Sequence, residues 1–238
     1  MGEAVLFEKE NGIATITLNR PERHNAINQD LLVNLYNCID EVAASDNIRV
    51  AIITGNGKSF CSGLDLEVIG KDKLFEPRGD GMDYPDIIGK CKKPIIGAIN
   101  GNAITGGFEI ALNCDFLIAS EQASFADTHA KVGIHPGWGL TQLLQQAVGQ
   151  RMAKQISLTC QFISAQEAFR VGLVNEVVEE EKLMPRAMEI AKYITETKPE
   201  IFSKVKELIE FRNNTTLSEA YANERKGFRE FYMKFMSG

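Results

Sequence analysis

The amino-acid sequence predicts an α/β fold, and three patterns support that prediction. Apolar runs of strand length lie at residues 50–54, 95–99 and 116–119, separated by turns and by helical stretches. Leucine, isoleucine and valine recur at helical spacing between residues 31 and 42. From residue 180 onward the chain is mostly amphipathic helix. We therefore expect stacked strand–strand–helix units followed by a helical C-terminal region.

The individual elements follow from local patterns. Residues 4–10 and 13–18 form a predicted hairpin joined at Asn11 and Gly12, a dipeptide that favours tight turns. Residues 70–85 mix glycine, proline and charges of both signs, which is typical of a loop. Two apolar stripes in the C-terminal helices are expected to pack against another surface. They comprise Leu183, Ala187, Ile190, Ala191 and Ile194, and then Phe202, Val205, Leu208 and Ile209.

Composition argues against several classes of protein. The 238 residues are 44% hydrophobic, which suits one sizeable core, and the net charge of −6 disfavours nucleic acid as a partner. Five scattered cysteines lack the short pairs of zinc or redox sites, so we expect reduced thiols, no metal and a cytoplasmic location. No charged-then-apolar leader and no bilayer-length apolar run are found, so no membrane association is expected.

The most informative segment runs from residue 95 to residue 115, where an apolar strand leads into Gly106 and Gly107. A helix that opens on glycines leaves backbone N–H groups that a negatively charged oxygen can reach. Glu109 falls in the first turn, where the helix dipole favours the ionised form of a carboxylate base. Two other interpretations are that the glycine pair lets the helix pack closely and that Glu109 is a solvated acid.

A second segment, residues 59–66, follows the strand at residues 50–54. Gly63 permits a backbone geometry that directs the N–H of Leu64 into a cavity. The N–H groups of Leu64 and Gly106 would then converge as an oxyanion hole, which stabilises a carbonyl that becomes enolate-like during reaction.

At this point the chain resembles the crotonase family, also called the enoyl-CoA hydratase/isomerase superfamily. The resemblance covers roughly residues 4–215 and implies a spiral of stacked ββα units. It predicts a core over residues 1–180 and a helical region over residues 181–238 that builds trimers or hexamers. The motifs that carry it are Leu18-Asn-Arg-Pro-Glu-Arg-His-Asn-Ala-Ile27, Phe60-Cys-Ser-Gly-Leu-Asp-Leu66, Lys93-Pro-Ile-Ile-Gly-Ala-Ile-Asn-Gly101, the Gly106 helix, Gly133-Ile-His-Pro-Gly137 and Ala165-Gln-Glu-Ala-Phe-Arg-Val-Gly-Leu-Val174.

The resemblance implies hydration of a 2-enoyl-CoA thioester with no further cofactor, because coenzyme A is part of the substrate. Glu109 would deprotonate water while the oxyanion hole holds the thioester oxygen. Isomerisation, decarboxylation and thioester hydrolysis use the same hole and stay open. A non-catalytic acyl-CoA-binding paralogue is a further alternative.

The second acid departs from the family pattern. Hydratases that this chain resembles commonly place a second glutamate twenty positions after the first, and His129 occupies that position. Histidine transfers protons near neutral pH, so His129 could act as the acid, or hold water beside Glu109, or be a hydrogen-bonded pocket residue. Asp127 could orient His129, serve as a second carboxylate, or cap a turn.

For coenzyme A, the resemblance implies an adenine pocket near Ala26 and residues 62–66, with basic residues that meet the phosphates. Thr105 is a lesser departure, since crotonases usually place glycine or alanine there. Trp138 is expected to form a pocket wall. The predicted coenzyme A and substrate residues are Arg23, His24, Ala26, Ser62, Asp65, Leu66 and Trp138.

Overall fold

The computed structural model describes residues 3–237, and within that range the chain alternates strands and helices. The strands are β1 (Val5–Glu10), β2 (Ile13–Leu18), β3 (Val50–Gly55), β4 (Ser59–Cys61), β5 (Ile95–Ile99), β6 (Asn102–Ile104), β7 (Phe116–Ser120), β8 (Ser124–Ala126), β9 (Ile163–Ser164) and β10 (Glu176–Val178). The helices are α1 (Gln29–Ala44), α2 (Tyr84–Lys90), α3 (Gly106–Leu112), α4 (His129–Val132), α5 (Leu140–Thr159), α6 (Ala165–Arg170), α7 (Leu183–Thr195), α8 (Pro199–Phe211) and α9 (Leu217–Ser237).

Successive strands alternate between two sheets. The larger sheet has the order β1-β2-β3-β5-β7-β10, and the smaller has the order β4-β6-β8-β9. The pairs β3–β4, β5–β6 and β7–β8 each contribute one strand to each sheet, and helices follow them. The β1–β2 hairpin is antiparallel, while β2, β3, β5, β7 and β10 run parallel. This arrangement confirms the predicted α/β fold of stacked ββα units.

The large sheet is covered on both faces, which explains its continuous apolar strands. In β3, Ala51 and Ile53 belong to the main core, on the same side as α1. Val50 and Ile52 point to the other face, where they share a cluster with Leu183, Ala187 and Ala191 of α7. Five consecutive residues of β3 are therefore buried.

The chain divides into two compact units at a later residue than the sequence predicts, because α7 belongs to the first unit. The predicted core ends at residue 180, whereas the compact units are Met1–Thr195 and Glu196–Gly238. The difference arises because the first C-terminal stripe packs on the large sheet instead of remaining available. The second unit contains α8, a short 3-10 helix and α9.

The predicted loop is shorter than residues 70–85. Asp83 caps α2 through a capping box, so the helix starts at Tyr84. The irregular segment before it is tied to α1, because the Gln29 backbone N–H donates to Asp72 at 2.9 Å and the Gln29 side chain donates to the Pro77 carbonyl at 2.7 Å.

The backbone of α3 lies directly against that of β4. A Cβ added at Gly107 would lie 2.1 Å from the carbonyl oxygen of Cys61, which is closer than any side chain tolerates. The expectation that the glycine pair allows close helix packing therefore holds for Gly107.

We expect Gly107→Ala to lower the free energy of unfolding by about 1–3 kcal/mol, because the backbone must shift to admit the methyl group. Gly89→Ala is the matched control, since Gly89 is also helical and has no heavy atom within 4 Å of an added Cβ. That control should be neutral or stabilising by up to about 1 kcal/mol. Equal effects of the two substitutions in urea denaturation would contradict the packing argument.

Candidate active site

Glu109 is a buried carboxylate held by the backbone of a neighbouring segment. Its side chain is 4% exposed, and its Oε1 accepts hydrogen bonds from the backbone N–H of Trp138 at 2.8 Å and of Leu140 at 3.4 Å. Asn113 reinforces this contact, because its side-chain amide donates to the carbonyls of both Glu109 and Trp138. The second oxygen, Oε2, remains directed at His129. The solvated-acid interpretation of Glu109 is therefore wrong.

His129 lies between two carboxylates. Its Nδ1 is 2.7 Å from Oδ1 of Asp127, and its Nε2 is 3.8 Å from Oε2 of Glu109. A carboxylate at Nδ1 fixes the imidazole tautomer, so Nε2 is the nitrogen that accepts a proton or releases one towards Glu109. The backbone N–H of His129 also donates to Asp127. The structure thus brings Asp127, His129 and Glu109 into one buried row.

The two carboxylates have opposite pKa shifts. Burial raises the pKa of Glu109, and this effect exceeds the opposing backbone hydrogen bond from Trp138 and the charge of His129. Burial also acts to raise the pKa of Asp127, but hydrogen bonds from His129 and Ser157 outweigh it and the pKa is lowered. Glu109 therefore holds a proton more readily than Asp127 does, as expected for a group that exchanges protons.

The backbone N–H groups of Leu64 and Gly106 lie close together beside this row. A Cβ added at Gly106 would be 3.8 Å from the Leu64 nitrogen, and one added at Gly63 would be 3.5 Å from the Gly106 nitrogen. Gly63 has φ +91°, which favours glycine and turns the chain so that Leu64 follows it against α3. Within residues 3–237, neither N–H donates to a protein acceptor. Both donors are thus available to a ligand oxygen.

A buried ion pair supports the loop that carries Leu64, and sequence reasoning missed its cation. Arg20 contacts Asp65 at 3.1 Å, with side chains 15% and 8% exposed, and it also donates to the carbonyl of Ala26. Asp65 was predicted to bind coenzyme A, whereas here its carboxylate faces Arg20 and the backbone N–H of Glu67. The signal available in the sequence was a second arginine in the same motif.

The other predicted coenzyme A residues lie around the same loop. Arg23 forms a bidentate, exposed ion pair with Glu67 at 2.9 and 3.0 Å, so its charge is already matched. His24 is exposed and left-handed at φ 52°, with Nδ1 3.4 Å from the Ser59 hydroxyl. Ser62 donates its backbone N–H to the His24 carbonyl, and Leu66 is 62% exposed.

Trp138 is buried, and its ring packs on Tyr84 with centroids 5.8 Å apart. Its backbone N–H also holds Glu109, a contact that residue type alone does not reveal.

No helix between residues 3 and 237 is both long and apolar enough to cross a bilayer. Within the same residues, no three histidine, cysteine, aspartate or glutamate side chains are grouped so as to hold a metal ion.

The raised pKa of Glu109 predicts a pH-dependent stability. A carboxyl group whose pKa is higher in the folded than in the unfolded state costs stability as pH rises from its ordinary value of 4.5 through the raised value. Glu109→Gln removes that cost and keeps an acceptor for Trp138. We expect the free energy of unfolding of Glu109→Gln, relative to that of wild type, to rise with pH above 4.5. The rise should total about 1.4 kcal/mol for each tenfold difference in the proton affinity of Glu109 between the folded and unfolded states.

Urea denaturation across pH measures this difference. Glu8→Gln, which alters an exposed carboxylate on β1, is the control and should give no comparable increase. A stability difference between Glu109→Gln and wild type that is independent of pH would contradict the raised pKa.

Comparisons with known proteins agree with this geometry. The family model described as enoyl-CoA hydratase/isomerase matches residues 8–236. Probable enoyl-CoA hydratase 1, peroxisomal, of Arabidopsis thaliana is 39% identical over 94% of this chain and 85% of its own length. Short-chain-enoyl-CoA hydratase of Clostridium acetobutylicum is 39% identical, with 96% and 89% covered. The crystal structure of enoyl-CoA hydratase from Bacillus anthracis superposes with a TM-score of 0.87 at 32% identity, covering 95% of this chain and 90% of that one. The chain therefore belongs to the enoyl-CoA hydratase/isomerase family, as its sequence motifs predicted.

Proposed function

We propose that this protein hydrates 2-enoyl-CoA thioesters, with Glu109 and His129 as its acid–base pair. The observation that carries the proposal is the 3.8 Å gap between Glu109 Oε2 and His129 Nε2, beside two unused backbone donors. Both side chains are nearly excluded from solvent. A single water can hydrogen-bond both groups, because each such bond needs only about 2.8–3 Å.

The oxyanion hole would act on the thioester carbonyl. Addition of water at the β-carbon places negative charge on the thioester oxygen as the enolate forms. N–H groups of Leu64 and Gly106 held at that oxygen by the fold would stabilise the charge without reorganisation. Loss of one such donor typically costs about 3 kcal/mol of barrier.

Glu109 and His129 would divide the proton transfers. Glu109 takes a proton from water as the oxygen–carbon bond forms at the β-carbon, and protonated His129 releases a proton to the α-carbon as the enolate returns to a carbonyl. Asp127 keeps the imidazolium oriented and balances its charge. The proton that Glu109 gains then returns to His129 across the 3.8 Å gap, so the pair is restored after each cycle.

The same pair could instead move a proton between the α- and γ-carbons, which is the isomerase alternative that the family description includes. Hydration is favoured here because one water lying to the side of the pair can hydrogen-bond both Glu109 Oε2 and His129 Nε2, which are 3.8 Å apart.

Coenzyme A would bind against the backbone near Ala26 and residues 62–66, the loop that carries Leu64, whereas the Asp65 carboxylate is engaged by Arg20. Arg23 can meet a phosphate only if the phosphate competes with Glu67 for the guanidinium. Coenzyme A arrives as part of the substrate, and the proposed chemistry needs no other cofactor. All five cysteines are free thiols, which supports a reducing compartment such as the cytoplasm.

We expect Glu109→Gln and His129→Gln each to lower crotonyl-CoA hydration by about two to four orders of magnitude, with coenzyme A thioester binding retained. His129→Glu recreates a two-carboxylate pair and should change the pH profile. His135→Gln is the matched control, because His135 is exposed and its Nδ1 contacts the carbonyl of the neighbouring Pro136.

Turnover is measured over a panel of 2-enoyl-, 3-enoyl- and β-hydroxyacyl-CoA thioesters, and binding by calorimetry with acetoacetyl-CoA. Wild-type activity no higher than that of Glu109→Gln on every thioester, with binding intact, would replace the hydratase proposal with a non-catalytic acyl-CoA-binding protein.

We also propose that the protein assembles as a trimer or hexamer. The second unit exposes many large apolar side chains along α8 and α9, more than isolated surface positions account for. They are Val205, Ile209, Phe228, Phe231, Tyr232, Met233, Phe235 and Met236, each at least 49% exposed.

Light scattering at micromolar concentration should give the mass of a trimer or hexamer. Phe235→Glu, at a position 72% exposed, should reduce that mass, whereas Glu8→Gln on β1 should not. A monomeric wild-type protein would rule out this assembly.

A further inference from the structure

Thr105 has a backbone conformation that β-branched residues rarely adopt. It precedes Gly106 and has φ 52° and ψ −111°. The Cβ of a branched residue is crowded at positive φ, so surrounding contacts must hold the residue there. One such contact is the Thr105 backbone N–H, which donates to the carbonyl of Ala126 at 2.9 Å.

Thr128 supplies the second contact. It precedes His129 as Thr105 precedes Gly106, so each threonine is the N-cap residue of a short helix. An N-cap threonine ordinarily accepts a hydrogen bond from its own helix, but neither side chain does so here. The two hydroxyls instead contact each other at 2.5 Å.

This pair joins the two segments that carry the proposed chemistry. On one side, Thr105 is followed by the Gly106 donor and, one helical turn later, by Glu109. On the other, Thr128 stands between Asp127 and His129. Thr105 also borders the other donor loop, because a Cβ added at Gly63 would lie 3.4 Å from the Thr105 Cβ.

We propose that the Thr105–Thr128 hydroxyl pair is a positioning device that sets the distance between Glu109 and His129 and the direction of the Gly106 N–H. The inference rests on the proposed function, since it concerns the geometry of that site. The hydroxyl bond holds Thr105 in its strained conformation, and the Thr105–Gly106 peptide takes its orientation from that residue. Neither threonine is assigned contact with substrate.

The test compares valine and serine at both positions. Valine keeps the branched shape and removes the hydroxyl, whereas serine keeps the hydroxyl. We expect Thr105→Val and Thr128→Val each to lower kcat for crotonyl-CoA hydration by about tenfold to a hundredfold, with KM within about twofold, because small misplacements of reacting groups act on the chemical step. Thr105→Ser and Thr128→Ser should recover most of the loss. The double valine variant should be no worse than either single one, because both remove one shared bond.

Thr159→Val is the matched control, because Thr159 is an exposed threonine whose hydroxyl donates to the Gln155 carbonyl at the end of α5. Thermal unfolding verifies that each variant is folded. Wild-type kcat in both valine variants, or losses that add in the double variant, would overturn the proposal. So would serine variants as impaired as the valine variants.

A second readout separates this proposal from the hydratase assignment. Bound acetoacetyl-CoA shows enolate absorbance when its oxygen is held by correctly placed donors. We expect Thr105→Val to bind acetoacetyl-CoA with less enolate absorbance than wild type or Thr159→Val. If wild type hydrates no enoyl-CoA but this difference is found, the hydratase proposal fails and the positioning role stands. Equal absorbance in all three proteins overturns the positioning role whatever the reaction is.

Discussion

The direct contact between the backbones of α3 and β4 is the constraint on which the site depends. With no side chain at Gly107, the helix approaches so closely that an added Cβ would lie 2.1 Å from the Cys61 carbonyl. The chain leaving β4 then passes Gly63 and brings Leu64 beside the first residue of α3. Glu109 follows one turn later and is directed into the interior. One close approach therefore brings together both backbone N–H groups and the buried carboxylate.

Because both carboxylates are buried, the pKa of each one depends on its hydrogen-bond partners. Burial raises the pKa of Glu109, and its hydrogen bonds come from backbone N–H groups that do not release a proton. Asp127 is also buried, yet its bonds with His129 and Ser157 lower its pKa. The two acids thus differ because one has a titratable neighbour in direct hydrogen-bond contact and the other faces that neighbour across a gap. The difference suits an Asp127 carboxylate that stays charged and a Glu109 carboxylate that exchanges protons.

Much of the fold could be predicted from the sequence, because it depends on local patterns. The runs that became β3, β5 and β7 are apolar, and the repeat that became α1 has helical spacing. Of the candidate site, Leu64, Gly106 and Glu109 could be placed from the glycines beside them. The boundary near residue 180 was less accurate, because the stripe on α7 fits equally well against its own sheet or against another subunit. Only the tertiary packing distinguishes those two options.

Contacts that depend on the direction of the backbone could not be predicted from the sequence. The sequence predicts Arg23 as a coenzyme A contact, but positive φ values at His24 and Asn25 turn the chain so that Arg20 points inward at Asp65 and Arg23 outward at Glu67. Trp138 holds Glu109 through its N–H, which every residue except proline has, so its identity gives no indication of that contact. The Thr105–Thr128 pair joins residues 23 positions apart, and no local sequence pattern indicates it.

Under the proposed function, His129 together with Asp127 would give the site the same charge as a pair of carboxyl groups. Two carboxylates that share a pocket repel each other, so one of them must hold a proton and the pair carries a single negative charge. The proposed mechanism starts from Glu109 and Asp127 as two negative charges and an imidazolium at His129 as one positive charge, which again leaves a single negative charge. Without Asp127, the same histidine would make the site neutral and leave Nδ1 without its carboxylate. On the proposed mechanism, Asp127 and His129 would therefore act together as the counterpart of one protonated carboxyl group, with the exchangeable proton on Nε2, 3.8 Å from Glu109 Oε2.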